Sequence, residues 1–120
     1  MDDPMEKLEK LPNLRILKLK QSSYVWKDMF CSKGGFSQLY FLKLSHLYLV
    51  ERWSIEEGAL CNLRELEIIE CKWLKIAPRG LWLVITLRNL KLGYMPYEFQ
   101  MMAHDCNGEN RNRLEHVLLM

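Results

Sequence analysis

The chain has 120 residues, which is enough for one domain of ordinary size and too short for two. Its 17 Lys and Arg against 15 Asp and Glu leave a formal charge of +2, which gives no reason to expect a nucleic-acid or anionic-membrane partner. The acidic start MDDPMEKLEKL is unlike a secretory signal, and the longest apolar run, LWLVITL, is too short to cross a bilayer, so we expect a cytoplasmic protein without a membrane span.

One spacing of leucines recurs along the chain. L-x-x-L-x-L occurs as LRILKL from Leu14, LYFLKL from Leu39, LRELEI from Leu63, with Ile at the last position, and LRNLKL from Leu87. The first leucines of successive copies are 25, 24 and 24 residues apart. A period of about 20 to 29 residues with this pattern is the signature of a leucine-rich repeat.

Each copy predicts one short strand, because its last leucines alternate with polar positions and alternate residues of a strand point to opposite faces. Stacked copies then bury a continuous column of side chains that no single copy could bury. The fold class is therefore predicted to be α/β, a leucine-rich-repeat solenoid with a short parallel sheet on its concave face. We expect strands near residues 16–19, 41–44, 65–68 and 89–92, with Leu17, Leu42, Leu66 and Leu90 in one inward column.

The segments between the strands differ in character from the repeats. SSYVWKDMFCSKGGF (Ser22 to Phe36) and SIEEGAL (Ser54 to Leu60) are irregular, contain glycine and mix polar with aromatic residues. They predict loops and single helical turns on the convex face. The tryptophans of the connecting parts are expected to cover the back of the core; they are Trp26, Trp53, Trp73 and Trp82.

The C-terminal tail reproduces the repeat once more. Leu114, Val117 and Leu119 have the L-x-x-L-x-L spacing, at an offset of 27 from Leu87. This predicts a terminal capping strand at 114–119, since terminal repeats must cover the open end of the stack. We therefore divide the chain into a leucine-rich-repeat domain at 1–99, with about four repeats of 24–25 residues, and a tail at 100–120.

No catalytic or metal-binding pattern accompanies the repeats. The sequence has no G-x-S-x-G or H-E-x-x-H motif, and its four cysteines lie far apart without a C-x-x-C pair. His104, Asp105 and Cys106 lie together, but their neighbourhood supplies no further ligands for a metal. We expect reduced thiols, with Cys71 packed inside a turn, and neither an enzyme nor a cofactor.

The run from Leu49 to Leu81, LVERWSIEEGALCNLRELEIIECKWLKIAPRGL, closely resembles the last repeats of plant intracellular disease-resistance receptors of the coiled-coil, nucleotide-binding, leucine-rich-repeat class. Those proteins commonly show E-E-W, E-x-G-A-x-P-x-L and C-x-x-L-x-x-L-P-x-G-L in this order. MFCSKGGFSQL and MPYEF resemble their preceding repeat and C-terminal part. Ser37 and Cys61 stand where the family usually has proline, which predicts looser turns.

The resemblance implies a protein-interaction module for recognition and autoinhibition in the defence response. Its partner would be a pathogen effector, a guarded host protein or the receptor's own nucleotide-binding domain. The chain has no G-x-x-x-x-G-K-[ST] phosphate loop, so the family's nucleotide switch does not carry over to it. The alternative is a leucine-rich-repeat substrate adaptor of a ubiquitin ligase. A short gene product, a truncated gene model and a fragment of a longer receptor all fit this sequence.

The partner-binding surface is predicted on the concave sheet face, where residues between the core leucines align. Lys18, Lys43 and Phe41 would form a basic, partly apolar patch, with acidic residues setting its register. The other interpretation, that these are ordinary solvated positions, remains open. The predicted partner-binding residues are Ile16, Lys18, Phe41, Lys43, Glu65, Glu67, Asn89 and Lys91.

Overall fold

The computed structural model describes residues 4–21, 24–102 and 117–119. Its main element is a five-stranded parallel sheet with the strand order β1-β3-β5-β6-β7. A second, two-stranded parallel sheet pairs β2 with β4. The strands are β1 (Ile16–Leu19), β2 (Asp28–Cys31), β3 (Phe41–Ser45), β4 (Arg52–Ile55), β5 (Glu65–Ile69), β6 (Asn89–Gly93) and β7 (Val117–Leu119).

Helical structure is short in the described part of the chain. It consists of the α-helix α1 (Met5–Leu8), a 3-10 helix at Arg79–Leu83 and helical residues at 97–102. The four predicted strands and their parallel arrangement are confirmed, and the fold is a leucine-rich-repeat solenoid. Strand β7 lies within the predicted capping segment, of which residues 114–116 are outside the described residues, and the domain boundaries stay a prediction.

The leucine columns form as predicted, because each strand pairs with the next in the register of the repeat. Leu17 lies opposite Leu42, Leu42 opposite Leu66, and Leu66 opposite Leu90. Three of these side chains are fully buried, while Leu17 is partly buried at the first strand. The partner column is buried throughout and consists of Leu19, Leu44, Ile68 and Leu92.

The second sheet corrects the prediction of loops and helical turns for the connecting segments. In β2, Met29 and Cys31 are buried and alternate with exposed residues, and Trp53 of β4 is buried directly opposite Met29. Each strand has only four residues, so its alternation is too short to recognise in a sequence. An ion pair between Arg52 Nε and Asp28 Oδ1, 2.6 Å apart, joins the two strands on their exposed side.

The tryptophans do not all cover the back of the core. Trp53 is buried and Trp26 packs partly buried against the core. Trp73 is 57% exposed, which contradicts the prediction for that residue. It precedes Leu74, which takes the inward position of that turn and is fully buried, so the tryptophan is left on the outside. The side chain of Trp82 lies outside the described residues.

A buried glutamate ties the N-terminal helix to the first complete turn of the solenoid. Glu9 Oε2 accepts a hydrogen bond from the Ser32 backbone N–H at 2.7 Å, and the Glu9 carbonyl accepts one from Phe36 N–H at 2.9 Å. A Cβ atom on Gly35 would collide with this carboxylate, so the close approach requires glycine. The bond from Ser32 gives the buried Glu9 carboxylate a hydrogen-bond partner, and the bond from Phe36 does the same for the Glu9 carbonyl.

Truncation of a central core leucine should destabilise the chain strongly. Leu66 is fully buried on β5, the middle strand of the sheet, so Leu66→Ala is expected to lower the free energy of unfolding by about 2 to 5 kcal/mol. That is a large part of the stability of a small domain. Urea unfolding followed by circular dichroism measures it. The matched control is the exposed neighbour Glu65→Ala, which should change stability by less than about 0.5 kcal/mol. Equal effects of the two substitutions would contradict the buried column.

Candidate functional site

All eight predicted partner-binding residues lie on the sheet face opposite the buried leucines, which we call the open face. One row runs Ile16, Phe41, Glu65, Asn89 across the four strands, each residue opposite the next. The second row is Lys18, Lys43, Glu67 and Lys91. Neighbouring strands are about 4.8 Å apart, so each row is a ladder of closely spaced side chains.

The open face carries unpaired charges. None of the charged residues in its second row forms an ion pair with another residue in the described ranges. Lys18 and Lys43 are direct neighbours, and two like charges about 5 Å apart repel by about 1 kcal/mol even at the dielectric constant of water. The packing of the core does not require this pair of charges.

Lys18 also contacts the apolar member of the face. Its Nζ lies 5.8 Å from the centroid of the Phe41 ring, within the range of a cation–π interaction. Ile16, 46% exposed, stands directly opposite Phe41 in the neighbouring strand. Ile16, Lys18, Phe41 and Lys43 therefore form a continuous patch of mixed basic and apolar character. Their role in binding a partner stays a prediction.

A polar cluster that the sequence interpretation missed lies at the carboxyl ends of the central strands. His46 Nε2 is 3.3 Å from Glu70 Oε2, and the Tyr48 hydroxyl donates to the same oxygen at 3.1 Å. The Ser45 hydroxyl is hydrogen-bonded to His46 Nδ1 at 2.6 Å. Lys72 Nζ lies 5.3 Å from the centroid of the Tyr48 ring. Unlike Glu67 on the open face, the Glu70 carboxylate at this edge already has side-chain partners among the described residues, His46 and Tyr48.

The backbone positions this cluster by the same turn in successive repeats. His46, Glu70 and Tyr94, each the first residue after a strand, have φ values of 56°, 48° and 54°. The His46 N–H donates to the Ile69 carbonyl and the Glu70 N–H to the Gly93 carbonyl, both at 2.8 Å. These bonds extend the ladder by one residue and hold a conformation that non-glycine residues rarely adopt. Applying the 24-residue offset of the repeat to positions other than the leucines would have identified this row from the sequence.

Two titratable groups near this edge have raised pKa values. Partial burial and the hydrogen bond to Glu70 raise the pKa of Tyr48 above its usual 10.0, because both disfavour the phenolate. Burial raises the pKa of the Cys71 thiol from 9.0 to about 11, with a smaller opposing effect from backbone hydrogen bonds of Leu47 and His46. The thiol donates to the Ile69 carbonyl at 3.6 Å. Cys71 is thus a packed, protonated core residue, as the sequence predicted.

The described residues hold no group of three or more histidine, cysteine or acidic residues arranged to bind a metal ion. No helix within these residues is long and apolar enough to cross a membrane. Cys31, Cys61 and Cys71 are free thiols, and Cys106 lies outside the described residues. The described surface therefore presents rows of charged and aromatic side chains, which the repeats hold in place.

Comparison with known proteins finds plant disease-resistance proteins that are similar to this chain. The chain is 37% identical to the disease resistance protein RPP8 and 35% identical to the disease susceptibility protein LOV1, both from Arabidopsis thaliana. Each alignment covers 116 residues, which is 97% of this chain. The chain is 39% identical over the same length to a probable disease resistance RPP8-like protein 2 of that plant. The chain is thus a leucine-rich-repeat segment that is similar, over nearly its whole length, to plant disease-resistance proteins. It spans only 12–13% of the length of these relatives.

No protein-family model matches the chain, and no solved structure matches it.

The turns at Ser37 and Cys61, the two positions where the disease-resistance proteins usually have proline, are held by hydrogen bonds from side chains. Asn62 Nδ2 donates to the Ser37 carbonyl at 2.7 Å, and the Thr86 hydroxyl, which donates to the Leu63 carbonyl at 2.7 Å, also lies 3.2 Å from the Cys61 carbonyl. These hydrogen bonds link each turn to the next repeat, so the absence of proline does not leave the turns without support.

The buried thiol predicts a specific loss of stability at alkaline pH. The folded state keeps the Cys71 proton up to a pH of about 11, whereas an unfolded thiol loses it near 9.0. The contribution of the protonated thiol to stability is complete below the unfolded pKa and is lost as the pH rises between these values, by up to about 1.4 kcal/mol per pH unit. Denaturant unfolding at pH 8 and pH 10 should show wild type losing about 1 kcal/mol more than Cys71→Ala. Parallel losses in the two proteins would show that Cys71 does not titrate in this way.

Proposed function

We propose that the chain is a protein-interaction module of a plant intracellular immune receptor and acts in the defence response. The observation that carries this proposal is the similarity to disease-resistance proteins over nearly the whole chain, together with an exposed sheet face whose charged side chains form no ion pair among the described residues. Its partner is a protein: a pathogen effector, a guarded host protein or the nucleotide-binding domain of the same receptor. The module works in the cytoplasm and performs no catalysis.

The open face suits this role for a physical reason. Its rows are fixed by the backbone register, so they lose little conformational freedom when a partner binds. Lys18 and Lys43 attract acidic groups, Phe41 and Ile16 offer apolar area, and the acidic Glu67 disfavours a partner shifted along the sheet. The Glu70 carboxylate, by contrast, is already in contact with His46 and Tyr48.

The ubiquitin-ligase adaptor is the alternative, and no observation on this chain favours it over the immune receptor. The two differ in what precedes the repeats in the complete protein. An F-box-like helical segment upstream would support the adaptor, whereas a phosphate-loop domain upstream would support the receptor. Sequencing of the full transcript, including the region upstream of the Met1 codon, distinguishes them.

Charge reversal on the open face tests the proposed function. The chain replaces its matching 116-residue segment in full-length RPP8, and Lys18→Glu with Lys43→Glu is introduced into that chimera. We expect loss of partner binding or of resting-state autoinhibition, which is measured as a defence response without a pathogen. The matched control is Lys7→Glu with Lys33→Glu, which makes the same charge change at exposed positions away from the open face, where the lysine side chains form no ion pair among the described residues.

Circular dichroism of the isolated chains establishes that both double variants are folded. A folded open-face variant with unchanged partner binding and unchanged autoinhibition would reject the role of this face. Restoration of binding by reversing acidic residues on the partner would support it, because the interaction would then depend on complementary charge.

A further inference from the structure

A row of arginines lines the edge of the sheet where the strands begin. Arg15, Tyr40, Arg64 and Arg88 each follow the first leucine of a repeat and occupy equivalent positions. The Arg15 carbonyl accepts hydrogen bonds from the N–H groups of Tyr40 and Phe41, at 2.9 and 3.2 Å. The Tyr40 and Arg64 carbonyls accept equivalent pairs from the following repeat. The backbone therefore fixes the spacing of this row, which we call the arginine edge.

The arginine edge contains a groove. Its volume is about 320 Å³, and it is lined by Arg15, Gln38, Tyr40, Asn62 and Arg64. Tyr40, 39% exposed, lies between the two arginines in the order of the repeats. The Asn62 amide is anchored by its hydrogen bond to the Ser37 carbonyl. The groove thus presents two guanidinium groups on either side of an exposed aromatic ring.

The charges of the arginine edge are not neutralised by the rest of the described structure. Arg15, Arg64 and Arg88 are exposed, and none makes an ion pair with another described residue, in contrast to Arg52, which pairs with Asp28. Arg64 and Arg88 lie on adjacent repeats, where like charges repel. Core packing explains the leucine before each of these residues but not the arginine itself.

We propose that the arginine edge binds an acidic segment of a protein partner in the polyproline II conformation, with an acidic side chain at every third residue. Such a segment has three residues per turn and a rise of about 3.1 Å, so its acidic side chains recur on one side about every 9.3 Å. Arg15 and Arg64 are two strand spacings apart, or about 9.6 Å. Each guanidinium can then hold one carboxylate through two hydrogen bonds.

Tyr40 offers a contact surface for the residues between the acidic positions of the partner segment. Polyproline II segments dock on aromatic side chains in shallow grooves, because their conformation is already formed and little entropy is lost. The exposed ring between the two arginines offers that contact. The inference rests on the proposed function as a protein-interaction module and adds a second surface with a defined partner chemistry.

The charge distribution favours a protein partner over a nucleic acid. The chain carries a net charge of only +2, and the open face mixes three lysines with two glutamates, Glu65 and Glu67, which lie on the strand that follows Arg64. The phosphate backbone of a nucleic acid carries a negative charge at every nucleotide, so some phosphates would lie next to these carboxylates and be repelled. A segment with spaced carboxylates places its charge only where the arginines are.

Binding of a defined peptide to the 120-residue chain tests the proposal. The probe is a fluorescein-labelled peptide of four Glu-Pro-Pro repeats, and the control peptide has four Gln-Pro-Pro repeats. Fluorescence anisotropy should show at least about tenfold tighter binding of the acidic peptide, because only it forms charge-assisted hydrogen bonds. Arg15→Gln with Arg64→Gln should weaken that binding by about tenfold or more. Tyr40→Ala should weaken it as well, while Tyr40→Phe retains it.

Matched variants distinguish recognition by the arginine edge from non-specific attraction by the positive charge of the chain. Lys7→Gln with Lys33→Gln removes the same charge at exposed positions elsewhere, where the lysine side chains form no ion pair among the described residues, and should change affinity by less than about twofold. Arg15→Lys with Arg64→Lys keeps the charge but loses the two-point hydrogen bonds, so it should bind with intermediate affinity. Circular dichroism verifies folding of each variant, which the exposure of the substituted side chains favours.

Four results would contradict the proposal that the arginine edge binds an acidic segment. They are no binding of the acidic peptide, equal binding of the two peptides, unchanged binding after the arginine substitutions, and tighter binding of a twelve-nucleotide single strand that depends on the same arginines. If Lys18→Gln with Lys43→Gln abolishes peptide binding and the arginine variant does not, the acidic segment binds the open face. That result rejects the arginine edge and leaves the proposed function intact.

Discussion

The register of the parallel ladder is the constraint on which the rest of this structure depends. Strands β1, β3, β5 and β6 pair so that residues 24 or 25 positions apart lie side by side. One turn of the chain has no interior, and its leucines become buried only when the next turn covers them. A shift of one residue in any strand would turn its leucines to the solvent face. The spacing of the repeat and the burial of the core are therefore one requirement.

The same register creates every surface of the solenoid. Once the leucines are aligned, each remaining position of the repeat also becomes a row, with steps of about 4.8 Å. The open face has one row of mixed charge and one row that is apolar at Ile16 and Phe41 only. The arginine edge is basic, and the edge at the carboxyl ends of the strands carries His46 in contact with Glu70. Recognition in such a scaffold depends on which residue types occupy a given row, because the backbone that carries them is already fixed.

Much of the fold was predictable because the leucine pattern is repeated. Four copies agree on the strand positions, and each copy by itself would be ambiguous between a strand and part of a helix. The second sheet was not predictable in this way. Asp28–Cys31 and Arg52–Ile55 share a register but not a recognisable pattern, and their pairing becomes visible only when the turns are stacked. The exposed Trp73 was missed for a related reason, because its neighbour Leu74 occupies the inward position.

The amino-acid sequence by itself determined the period, the inward columns from Leu17 to Leu90 and the membership of the two open-face rows, because strand alternation and a fixed offset decide which side chains align. Tertiary structure alone decided which of the aligned charges find partners. His46 reaches Glu70 because both residues turn through positive φ at the strand ends, and Lys18 lies over Phe41 because its side chain extends across the neighbouring strand. The groove at Arg15, Tyr40 and Arg64 likewise exists only between stacked turns. Contacts between repeats depend on side-chain direction in three dimensions, and no spacing along the chain specifies it.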